Sequence, residues 1–133
     1  MQVGLRFTTD IPPGFRESLM GAFKSSGIPA VAIADKTPYN EFKRFSCVLD
    51  IYPSPKPYAD YGSFRTRSKL LATQLARSVP ATLRASPSLR YRAAIPFLMH
   101  CPVPSARLGV AKTNSETKQR IVIAISNYLL LTQ

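Results

Sequence analysis

The side chains able to trade protons, hold a metal or act as a nucleophile are few in this chain, and they are dispersed. There is one histidine, His100, beside Cys101; the other cysteine is Cys47. Neighbours on a strand point to opposite faces, and no further ligand stands at metal-binding spacing, so His100 reads as structural. The two cysteines read as buried free thiols, with a single disulfide between them as the alternative. Asp10, Glu17, Asp35, Glu41, Asp50 and Asp60 occur singly. They suit helix-cap, turn or surface positions rather than the clustered carboxylates of a two-metal site. "PPGF" and "RLGV" carry single glycines and form no phosphate-binding loop. From these residues the expectation is a non-enzyme with no metal and no cofactor.

The basic residues carry the positive signal. The 133-residue chain has a net charge of +11, and its halves differ sharply. Residues 1–64 hold seven Lys/Arg against six Asp/Glu, whereas residues 65–133 hold eleven against Glu116 alone. Arg65, Arg67, Lys69, Arg77, Arg84, Arg90 and Arg92 follow one another without an acidic residue between them. Like charges so close repel, so they form a candidate anion- or partner-binding set. Arg65 and Lys69 lie one helical turn apart on a shared face, with Arg67 nearly opposite. Arg90 and Arg92 share one strand face while Tyr91 points away, which disfavours a stacking platform for single strands. Contact with phosphate backbone, without base readout, is the nucleic-acid reading.

The elements that would position these residues suggest one domain over 1–133, of α+β class, with two helices on one face of a mainly antiparallel sheet. "QVGLRF" is a short strand or an extended arm. Phe15, Leu19 and Phe23 recur every four residues and predict a first helix, closed by Gly27 and Pro29. "AVAIA" follows as a buried strand. Phe45–Ile51 alternates with period two and predicts another strand. It runs into Pro53, Pro55 and Pro57, which favour an extended path. A second helix is predicted from about Gly62 to Val79, with Phe64, Leu71, Leu75 and Val79 on one face. "SLRYRAAIPFLMH" alternates as a strand. Residues 102–118 read as a long loop, and "RIVIAISNYLLLTQ", dense in β-branched residues, reads as a strand apolar on both faces.

This order of elements resembles the tail-terminator and tail-completion proteins of tailed bacteriophages. The resemblance is carried by a first helix "FRESLMGAFKSSG", the turn "AVAIADKTPYN", the segment "RFSCVLDIYPSPKPYADYGSFRTRSKLLATQLA" and the closing "RIVIAISNYLLLTQ". It implies a structural virion component, assembled in the host cytoplasm as a ring, commonly hexameric, with no catalytic residue. The long loop would then be an assembly arm, with Arg107, Leu108, Val110 and Lys112 contacting a neighbouring subunit. Deleting residues 105–115 should in that case leave the domain folded. The alternative is a basic nucleic-acid-binding or ribonucleoprotein component of the cytoplasm. No apolar run is long enough to span a bilayer, and no membrane partner is expected.

Overall fold

The computed structural model describes residues 2–62, 66–85 and 96–133. Strands β1 (Val3–Phe7), β2 (Ala30–Ala32), β3 (Cys47–Pro53), β4 (Tyr58–Tyr61), β5 (Thr82–Ala85) and β6 (Ser105–Val110) form one sheet. Their order is β2-β1-β3-β6-β4-β5. Helices are α1 (Pro13–Ser25), α2 (Thr66–Ser78), the short α3 (Pro96–His100) and α4 (Ser115–Leu131), with a 3-10 segment at Tyr39–Arg44. Among the described residues four of the five strand pairings are parallel, and only β4 with β6 is antiparallel. The mainly antiparallel sheet expected from sequence is therefore corrected to a mostly parallel α/β one. The cause is the connections: α1 carries the chain from β1 to β2, and α2 carries it from β4 to β5. A crossover of that kind restarts the chain in the same direction.

Alternation divides the sheet's two faces. Val3, Leu5, Leu49, Ile51 and Leu108 meet Phe15, Leu19 and Phe23 of α1, Leu71 and Leu75 of α2, and Ile121, Ile125 and Tyr128 of α4. Three helices, not two, cover this face. The opposite face is partly covered, over β1 and β3, by an aromatic cluster of Phe42, Phe45 and Phe97 with Ile33, Val48 and Leu98.

Two segments depart from the sequence expectation. The closing stretch is α4 rather than a strand. Its buried residues Ile121, Val122, Ala124, Ile125, Tyr128 and Leu129 follow helical spacing, and Asn114 caps it by accepting from the Thr117 amide at 2.9 Å. Apolar residues on "both faces" of a strand were one helical stripe. The long loop at 102–118 contains β6, which lies between β3 and β4 in the middle of the sheet. The segment "SARLGV" is short and buried, with Ala106, Leu108 and Val110 facing the helices. It is core, not an arm.

The three spaced prolines now have a place. β3 and β4 are consecutive in the chain yet separated by β6, so residues 54–57 must cross about 9.5 Å of sheet. The proline-rich path keeps that link extended, and the Ser54 amide donates to the Val110 carbonyl at 3.0 Å as it passes the end of β6. Of the strand expected over "SLRYRAAIPFLMH", residues 88–100, residues 88–95 lie outside the described residues, and 96–100 are helical. Phe64 and Arg65 also lie outside the described residues.

Candidate functional site

Strand register sets a row of alternating charge across the face away from the three helices. Arg6 on β1 stands opposite Asp50 on β3, and Asp50 opposite Arg107 on β6. Arg107 stands opposite Asp60 on β4, and Asp60 opposite Arg84 on β5. The five residues belong to five adjacent strands. Because side chains alternate along a strand, one residue of slip at any pairing would send its charge into the apolar layer.

Contacts fill in the row. Arg84 grips Asp60 with two nitrogens, Nε to Oδ1 at 2.6 Å and Nη2 to Oδ2 at 2.8 Å. Arg107 Nε donates to Asp50 Oδ2 at 2.8 Å. Both carboxylates are buried, Asp60 at 1% exposure and Asp50 at 6%. The guanidiniums reach further out, with side-chain exposures of 45% for Arg84 and 23% for Arg107. Each lies against a tyrosine: Arg84 Cζ is 4.1 Å from the Tyr58 ring centroid, and Arg107 Cζ is 4.2 Å from that of Tyr52. Stacking of this kind spreads a flat cationic and aromatic surface. The Tyr52 hydroxyl donates to Asp60 Oδ2 at 3.3 Å. Burial and then the Asp60 carboxylate push its pKa up, so it keeps its proton at neutral pH.

Gly109 makes room for the platform. A Cβ there would fall 2.9 Å from Tyr52 Cζ and 3.0 Å from its hydroxyl, so only glycine lets the ring lie over β6.

The sequence-predicted residues fare unevenly. Arg84, expected to bind an anion, pairs with Asp60 through Nε and Nη2 while its side chain stays partly exposed. Arg67, Lys69 and Arg77 are exposed on α2. Arg65, Arg90 and Arg92 lie outside the described residues. Arg107, Leu108 and Val110, expected to touch a neighbouring subunit, belong to β6, where Leu108 and Val110 are buried in this chain's own core. Lys112 is exposed beyond the strand. His100 is exposed, with its ring 6.1 Å from Tyr39. Both cysteines are buried, and no disulfide joins them. Among the described residues no three His, Cys, Asp or Glu side chains gather as a metal site, and no helix is long and apolar enough to cross a membrane.

Sequence reasoning missed Asp50 and Asp60 as members of a site. The alternation of β3 did place Asp50 away from the core face. β4, "YADY", went unrecognised, and with it Asp60.

Comparison with solved structures finds the CwlD amidase from Clostridioides difficile in complex with the GerS lipoprotein. It matches at a TM-score of 0.71 and 12% identity, over 98% of this chain and 98% of that one. No protein-family model matches, and neither does any curated protein. At that identity the likeness is one of fold. It nevertheless overturns the resemblance to phage tail-terminator proteins. The structural-component function and the virion setting that came with that resemblance are corrected with it, and so is the non-enzyme expectation drawn from the residues.

Proposed function

We propose that this chain is an amidase-like protein that takes an acidic, amide-bearing polymer, such as a carboxylate-rich peptide, across the tyrosine–arginine platform of its sheet. The observation that carries the reading is the pair of stacked, partly exposed guanidiniums, Arg107 on Tyr52 and Arg84 on Tyr58, fixed by buried carboxylates beneath them. A guanidinium anchored at one edge keeps N–H groups at its other edge, and these suit carboxylates and amide carbonyls. The Tyr52 hydroxyl, donating to Asp60, still has oxygen lone pairs to accept from an amide N–H. Net charge of +11 raises the local concentration of any polyanion. The solved neighbour is an amidase, which makes cleavage of amide bonds the activity to measure on a bound ligand.

The test is titration calorimetry with poly-glutamate and with an amidated acidic peptide, at low and at physiological salt. Amine released from the amide bonds is followed by mass spectrometry. Binding should weaken about tenfold in Arg107→Lys, which keeps the charge and loses the planar fork. Absence of binding to either peptide at low salt would sink the reading. Binding to duplex DNA that the peptides fail to displace would assign the cationic surface to nucleic acid instead, through Arg67, Lys69 and Arg77.

A further inference from the structure

Three buried side-chain atoms lack a hydrogen-bond partner among the described residues: Arg6 Nη1, Thr8 Oγ1 and Ser105 Oγ. Two of them are neighbours in an informative way. Arg6 lies in β1 and Thr8 is the first residue past its end at Phe7. The Thr8 amide continues the pairing to Ile51 of β3, so alternation carried one step further puts both side chains on the same face, the one that carries the charge row. The Thr8 backbone is already engaged, its amide with the Ile51 carbonyl at 3.1 Å and its carbonyl with Arg16 Nη2 at 3.1 Å. The hydroxyl is what remains.

Arg6 is the one member of the row without an ion pair. Asp50, directly across on β3, takes Arg107 instead, and no carboxylate approaches Arg6 within 4.0 Å among the described residues. Its guanidinium lies 4.8 Å from the centroid of Phe97, an aromatic neighbour that supplies no acceptor oxygen. A cationic nitrogen buried without an acceptor is unfavourable, and native proteins rarely leave one so. The position also matters. β1 has β2 on one side and β3 on the other, so the connection from β1 to β2 runs one way across the sheet and the connection from β2 to β3 runs back past β1 the other way. In open α/β sheets such a reversal, at the carboxyl ends of the strands, is where ligands settle.

We propose that Arg6 Nη1 and Thr8 Oγ1 form a subsite for one small oxyanion, a carboxylate or a phosphate, held beside the Phe97 ring. The guanidinium supplies charge and N–H donors, and the threonine hydroxyl turns its proton toward the same oxygen. The subsite does not depend on the platform at Arg84 and Arg107, and it stands or falls separately.

Thermal unfolding in the presence of inorganic phosphate or free glutamate tests it, each titrated from zero in a low-salt buffer. Wild type should gain several degrees with one of the two anions, and the responding anion identifies the source of the oxyanion. Arg6→Met should lose that gain while melting no lower than wild type without anion, since it removes an unpaired buried cation. Thr8→Val, near in shape, should weaken the apparent anion affinity about tenfold. Lys43→Met, which deletes an exposed charge of the same sign, should keep the full gain. No response of wild type to either anion overturns the proposal. So does an undiminished response in both Arg6→Met and Thr8→Val. Should Arg6→Met fail to fold, Thr8→Val decides alone.

Discussion

Arg84 and Asp60 share one ion pair, yet their removal should have unequal costs. Arg84→Ala leaves a carboxylate at 1% exposure with only the long Tyr52 bond, and should cost about 3 kcal/mol, the low end for a broken buried pair because Arg84 is itself half-exposed. Asp60→Ala frees Arg84 to turn into water and should cost about 1–2 kcal/mol. Urea midpoints of the two variants check the order; equal losses would show the pair to be less asymmetric than its burial. A second residue-scale prediction concerns alkaline pH. Burial, aided by Cys101, pushes Cys47 from 9.0 up to about 12, and burial, aided by Cys47, pushes Tyr128 from 10.0 up to about 12. Both groups are neutral when folded and would ionise in the unfolded chain above about pH 9–10. The folded state therefore binds more protons there, so stability is full below pH 9 and falls as pH rises toward 12. Denaturant midpoints at pH 8, 9.5 and 11 should decline in that order, and a flat profile would contradict the burial of both groups.

Among the elements, β6 and α4 make the clearest tests. Excising residues 105–115 removes a strand that pairs with both β3 and β4, so the expectation that the domain survives this deletion reverses: circular dichroism should show an unfolded chain. In α4, Ile125→Ala should cost about 2–4 kcal/mol, being fully buried, whereas Ile123→Ala, 53% exposed, should stay within about 0.5 kcal/mol. Similar values for the two would point to a strand-like alternation after all. The sequence made α1 legible because Phe15, Leu19 and Phe23 keep a four-residue spacing, and β3 legible because its alternation runs through Cys47, Leu49 and Ile51. α4 was obscured by Ile121, Val122, Ile123 and Ile125, whose local β preference is overridden by packing on the sheet. β6 was obscured because a six-residue central strand has no local signature beyond a short buried run.

At the scale of the whole molecule, the site was illegible for a different reason. Residues 6, 50, 60, 84 and 107 are joined by register across five strands, and register is not a local property of any of those segments. The excess of positive charge was plain from composition, and it carries its own prediction. Affinity for an acidic polymer should fall steeply between low and physiological salt, because charged contacts at the surface are screened. An affinity insensitive to salt would shift the weight of binding from the arginines to the tyrosine rings.

The insertion of β6 between β3 and β4 also bears on how a ribosome would deliver this chain. Synthesis proceeds from the N-terminus, and β1 to β3 can pair with one another as soon as they emerge. β4 and β5 can also pair, but no strand joins them to β3 until residues 105–110 are available. Through that interval the nascent chain carries two unmatched strand edges, at β3 and at β4, facing a gap one strand wide. Such edges invite pairing with other chains, so the vulnerable species in biosynthesis is the one that has released β4 and β5 but not yet β6.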